Sequence, residues 1–291
     1  MSLGNSFKFF LILISTAIYI RIIGVSGYAV IGIVYSLINI FSSLDFPYFL
    51  TLVKYNSNYY AKKKRLFDQM FNTLYNSVLI SNALLFILLS LLIVFLAKNV
   101  YNNQTLIPLY FLALVGFLIS RINMFLKGFL RANRNELIIQ KYQTSNLIVT
   151  VLLTLILLTF FEMGVLSIFI GILTGNILEK FLLKKQIKKF VNYKPYFSFR
   201  LFRNAFKKYL FPSHLSKFLN FSILWIGLFI STFYLDTASI GVLTILITID
   251  KILRNLLLPL WLHILPIYSS LINIKNYKKI KEIIKNFNTL F

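Results

Sequence analysis

LIIQKYQTSNLIVTVLLTLILLTFF (Leu137–Phe161), EMG (Glu162–Gly164) and VLSIFIGILTGNILEKFLL (Val165–Leu183) follow one another without interruption. A helix needs about 20 mostly apolar residues to cross a bilayer, and both longer runs approach or exceed that length. The three residues between them leave room only for a tight reversal. Two antiparallel spanning helices are expected, because within lipid each backbone N–H and C=O must be paired inside its own segment.

The same alternation continues on both sides. Upstream lie the basic loop Lys127–Arg134, a span from Leu106 to Phe125, the polar joint Lys98–Gln104 and a span from Phe71 to Ala97. Before these come a loop from Lys54 to Arg65 and spans over Tyr28–Val53 and Phe7–Ile23. The first of them resembles a signal peptide in length, but no small-residue cleavage site follows and a second apolar run begins at once, so a retained helix is expected. Downstream, a basic stretch from Lys184 to Lys208 leads into spans over Tyr209–Phe233 and Ile240–Ile267, the latter carrying Pro259 and Pro266. The expectation is an all-α, polytopic membrane protein with about eight transmembrane helices.

Composition agrees. Hydrophobic residues are 58% of the 291 and charged residues 13%, with a mean hydropathy of +0.77. Soluble domains have about 25% charged residues. With no Cys there is no disulfide or thiolate chemistry. Two His and eight acids offer little for a metal centre or a paired-carboxylate enzyme, so no cofactor, metal or catalytic residue is expected. The formal charge of +23 lies in short runs between apolar segments. That is the pattern of cytoplasmic loops and not of a nucleic-acid-binding surface, and no nucleic-acid partner is expected.

Those runs orient the chain. Five Lys/Arg fall between Lys54 and Arg65, ten between Lys180 and Lys208, and five in the tail from Lys275 to Lys285. The loops on the opposite side hold only Lys98. The positive-inside rule then places both termini in the cytoplasm. Residues 1–190 are read as a six-helix lobe, 191–208 as a basic cytoplasmic linker, and 209–291 as two further helices with a basic tail. A faint echo joins the two parts. Gly32 and Gly241, 209 residues apart, each open a long span that later holds a Pro (Pro47, Pro259) and an aromatic two residues on (Phe49, Trp261).

Charges inside spans are costly, about 2.5–3.5 kcal/mol at the bilayer centre on insertion scales, so they mark interior faces. At a rise of about 1.5 Å per residue, Lys217 falls near mid-membrane, and Asp250, Lys251 and Arg254 fall in the middle of the last span. Asp250 and Arg254 are spaced i, i+4 and can pair. Arg21 lies deep in the first span. The deep set is mostly cationic, which suits an anion. Asp45 and Arg121 lie nearer span ends, where snorkelling or helix capping accounts for them. His214 and His263 are read as packing or interfacial residues.

Several stretches together resemble a known family. Ile20–Tyr28 (IRIIGVSGY) is similar to an Arg-x-x-Gly-x-x-x-[Tyr/Phe]-Gly turn, with the closing Gly displaced to Gly27. Leu44-Asp45 resembles a Leu-Asp-x-Gly step, with Pro47 where Gly is usual. Asp236–Gly241 (DTASIG) resembles a short outer turn opening an eighth helix, and Pro259–Pro266 its end. These patterns are those of the Wzx-type O-antigen flippases, polysaccharide export transporters of the multidrug/oligosaccharidyl-lipid/polysaccharide (MOP) superfamily. The resemblance implies a MOP-type lobe of six helices plus the first two of a second, with the rest of that lobe as a missing C-terminal half. It also implies flipping of a lipid-pyrophosphate-linked oligosaccharide across the cytoplasmic membrane, with H+ or Na+ as coupling ion. Arg21, Lys217, Lys251 and Arg254, with Asp250, are then the substrate-binding candidates facing a cavity, and the surrounding partner is the lipid bilayer. A MATE-like drug or cation antiporter would favour an acidic cavity. A polymerase would need a long outer loop, and an acyltransferase a well-placed His.

Overall fold

The computed structural model describes residues 3–43, 45–52, 64–133, 135–191 and 193–253. Their regular structure is helical, with no strand among the described residues. The long elements are α1 (Leu3–Ser43), α2 (Lys64–Phe95), α3 (Leu106–Ala132), α4 (Glu136–Thr159) and α5 (Val165–Ile187). A short α6 (Phe199–Ala205) and α7 (Phe211–Tyr234) follow, and residues 237–253 are helical again. Wide π turns occupy Leu96–Val100 and Phe206–Leu210. Five helices among the described residues are long and apolar enough to cross a membrane: Phe7–Ser42, Leu66–Val100, Leu106–Arg131, Glu136–Thr159 and Val165–Ile187. The chain is thus a multi-pass, all-helical membrane protein. The parts of the expected second and eighth spans beyond 52 and 253 lie outside the described residues.

The first two expected spans share α1, on either side of a break at Gly24. Its φ of 72° and ψ of 177° belong to a region open essentially to glycine alone. Tyr19, Ile20 and Ile23 before the break and Tyr28, Ile31 and Tyr35 after it enter one apolar cluster with Leu158 and Ile168. The Glu162–Gly164 joint reverses the chain as expected, with positive φ at Glu162 (50°) and Gly164 (53°). Gly171 then lies against Thr154, and Gly175 against Thr150 and Asn146, the order of an antiparallel pair.

The chain divides into two compact units, Ala17–Ile245 and Met1–Thr16 with Leu246–Phe291. In the larger unit α3 packs on α2, α4 and α5. At one end of that bundle Phe67, Phe71, Phe125 and Phe129 form a fully buried aromatic core. The other end of this unit holds the turn before residue 237. Asp236 accepts hydrogen bonds from the N–H groups of Ala238 (3.0 Å) and Ser239 (3.3 Å), an N-terminal cap. The Ser239 hydroxyl, and then the backbone N–H groups, hold its carboxyl below the usual carboxylate range. Beyond this cap, residues 237–245 press on the second half of α1. A Cβ on Gly32 would collide with Thr244, and one on Gly241 with the carbonyl of Val25. The two echoing glycines therefore do not face each other; each accommodates a different residue of the opposite segment.

Candidate functional site

Helix α3 carries charge on two of its faces. Arg121 is buried, and its guanidinium forms an ion pair with Asp45. It also donates to the side-chain carbonyl of Asn82 and to Ser81 Oγ at 3.1 Å. The Phe117 ring, one turn back along α3, lies 5.8 Å from the guanidinium carbon. The planar fork of an arginine, with five donors in fixed directions, can serve acid, amide and hydroxyl at once.

Local sequence sets up this pair. α1 runs to Ser43, Asp45–Pro47 are non-helical, and Pro47 disfavours helical backbone at Phe46. Asp45 therefore sits in non-helical backbone, from which its carboxylate reaches α3. Its carbonyl is met by His214 Nδ1 at 3.3 Å, and the His214 ring packs on Phe46 with centroids 4.6 Å apart. A small open cleft lies beside the pair, lined by Asp45, Pro47, Tyr48, Arg121 and Met124 among others. Snorkelling and capping, expected for Arg121 and Asp45, are thus replaced by a buried pair. His214 is the packing residue it was expected to be. His263 lies outside the described residues.

The second charged cluster was not anticipated. Glu179 of α5 is 2% exposed. Its Oε2 accepts from Asn123 Nδ2 of α3 at 3.2 Å and Asn146 Nδ2 of α4 at 3.0 Å. Its Oε1 lies 3.1 Å from the Lys127 ammonium, an ion contact without aligned hydrogen-bond geometry. Asn176 extends the network, accepting from Asn123 through its backbone carbonyl (2.9 Å) and donating to the Gly116 carbonyl (3.2 Å). Asn123 Oδ1 and Arg121 Nε are buried without a hydrogen-bond partner among the described residues. Sequence signals for this cluster existed. Asn123 and Lys127 on α3, Asn146 and Thr150 on α4, and Asn176 and Glu179 on α5 are polar pairs at i, i+3 or i, i+4. Such spacing puts each pair on one helix face, and in lipid a polar face turns inward.

The expected substrate-binding residues fall in different places. Arg21 is exposed on α1, just before the Gly24 break, and Lys217 is on α7; both belong to the larger unit. Asp250 and Lys251 lie at the end of the described helical residues, in the smaller unit. Arg254, and with it the expected Asp250–Arg254 pair, lies outside the described residues. No group of three or more His, Cys, Asp or Glu side chains that could hold a metal occurs among the described residues.

Comparison with known proteins gives no match to a family profile, to a curated protein or to a solved structure.

Proposed function

We propose that this chain is a transporter of the Wzx-type flippase kind, moving a lipid-pyrophosphate-linked oligosaccharide across the cytoplasmic membrane by alternating access. In this reading eight spans form a six-helix lobe and the start of a second, with both termini cytoplasmic. The observation that carries it is a coincidence of sequence and backbone. Of the four stretches that carry the resemblance, three meet interruptions of helix among the described residues, at Gly24, at Asp45–Pro47 and at the turn at Asp236, and Pro259–Pro266 lies outside those residues. Each is a place where a transporter helix must turn or hinge, and the acid of the second holds Arg121 inside the bundle.

The substrate's pyrophosphate must be neutralised while it is within the membrane, and Arg21, Lys217, Lys251 and Arg254 are the cations assigned to it, with Asp250 holding Arg254 when the site is empty. Binding has to be reversible, which favours exchangeable ion pairs over a tight fixed cluster. In a complete complementing protein, Arg254→Ala and Lys217→Ala are expected to abolish surface polysaccharide while insertion persists. Arg254→Lys should retain part of the function, since charge survives without the bidentate fork, and Lys64→Ala should be nearly silent. Wild-type export in both alanine variants would remove the anion-cavity mechanism.

Orientation has its own test. A cysteine introduced at Asn102 should react with a membrane-impermeant thiol reagent in intact cells, and one at Asn192 should not. Labelling at Asn192 from outside would invert the topology.

A further inference from the structure

The end of α5 and the linker to α7 form a basic surface. Lys185, Lys188, Lys189, Lys194, Arg200, Arg203, Lys207 and Lys208 are all exposed. From residue 180 to residue 235 the sequence contains no acid, and none of these eight takes part in an ion pair among the described residues. Runs of this kind are ordinarily flexible, solvated loops. This one is held in shape. Lys194 N–H donates to Asn72 Oδ1 at 3.0 Å, Ser198 N–H to Thr73 Oγ1 at 3.3 Å, and Asn76 Nδ2 to the Tyr196 carbonyl at 2.9 Å. All three partners lie within little more than one turn of α2, from Asn72 to Asn76. Tyr193 packs against Phe71 and Tyr75, and Leu201, Phe202 and Ala205 of α6 join the aromatic core.

Docking the linker this way leaves its other side with a mixed character. Phe199 is 69% exposed and Phe197 46%, interleaved with Arg200 and Arg203. Exposed phenyl rings beside cations are unfavourable in water and suited to the headgroup region, where rings enter the acyl boundary and charges meet phosphates. The location agrees, since the segment begins where the apolar run of α5 ends and packs on the first turns of α2. The cations are dispersed along the segment and are mostly lysines, which act as point charges and not as a geometric clamp. That pattern fits several monoanionic headgroups side by side better than one polyanion.

We propose that this docked linker is a binding surface for anionic phospholipid headgroups of the adjoining leaflet, with Lys185, Lys188, Lys189, Lys207 and Lys208 supplying charge and Phe197 and Phe199 the apolar contact. The proposal does not depend on what the protein transports.

The test uses the full chain in bilayers of equal phosphatidylcholine and phosphatidylglycerol, extracted mildly, with co-purified lipid quantified by mass spectrometry. Wild-type protein should carry phosphatidylglycerol over phosphatidylcholine at about threefold or more above the bilayer ratio, falling steeply in high salt. The five lysines changed together to Gln should bring the ratio to that of the bilayer, and the same five changed to Arg should keep the enrichment. These exposed side chains can be replaced without disturbing the core. Unbiased lipid on the wild-type protein, or enrichment surviving the Gln variant, would overturn the proposal. So would displacement of phosphatidylglycerol by millimolar inorganic pyrophosphate, which would mark a site for a soluble polyanion.

Discussion

Arg121→Ala is expected to destabilise the protein by about 3–5 kcal/mol, the usual consequence of removing one partner from a buried ion pair. The guanidinium of Arg121 supports three groups, on the segment after α1 and on α2: Asp45, Asn82 and Ser81. Its loss strips a largely buried carboxylate of this counter-charge, and a buried amide and a half-buried hydroxyl of a donor. Arg121→Lys should fall between, because an ammonium can replace the charge but cannot reach all three acceptors. The informative comparison is a double-mutant cycle read by reversible unfolding in lipid or detergent. Asp45→Leu with Arg121→Met removes both charges at similar volume, and should be far less damaging than either single change. A loss below about 1 kcal/mol for Arg121→Ala would mean that the side chain escapes to the interface, as its position along α3 alone suggests.

That difference shows what a linear reading of this chain can and cannot reach. Interruptions of helix are local chemistry, so the Glu162–Gly164 reversal and the turn before residue 237 follow from composition and short-range sequence. The break at Gly24 is equally local, although it separates two expected spans inside what is otherwise one run of helix. The starts of the helices at Leu106, Glu136 and Val165 are legible for the same reason. Charges in spans were ranked by depth, the one coordinate a single helix provides. Depth ranks Lys217 and Arg254 above Arg121, because Arg121 lies nearer a helix end. Asp45 is 76 residues away from Arg121 in sequence, and no periodicity within either helix reveals that they meet. The Glu179 cluster was hidden differently. Its members are single polar residues in apolar runs, each unremarkable alone, and only the shared spacing on α3, α4 and α5 indicates that three polar faces converge. The choice among substrates stays with the resemblance and its tests, because charge and depth along a helix do not distinguish one anion from another.

Gly175→Leu is expected to cost about 3 kcal/mol, or to prevent the protein from accumulating in the membrane. Between apolar helices in lipid there is little hydrophobic force, so α4 and α5 must be held by close van der Waals contact and by polar groups. Gly171-Ile-Leu-Thr-Gly175 presents two small residues one turn apart on α5, the spacing that lets two helix backbones approach. A Cβ at Gly171 would lie 2.9 Å from the Thr150 carbonyl oxygen, and one at Gly175 would lie 2.9 Å from the Asn146 carbonyl oxygen. Both obstacles are backbone, so no rotamer change can relieve them and the helices must separate. Overpacking of this kind typically costs about 1–3 kcal/mol. The figure should sit at the top of that range here, because separation also draws Asn146 away from Glu179 and leaves a buried carboxylate with one donor fewer. Gly227→Ala on α7 is the matching control, since a Cβ there meets nothing within 4 Å and alanine favours helix. Unfolding midpoints of the two variants in the same lipid should separate clearly. Were Gly175→Leu as stable as Gly227→Ala, the tight α4–α5 contact would be wrong, and Glu179 would need another set of partners.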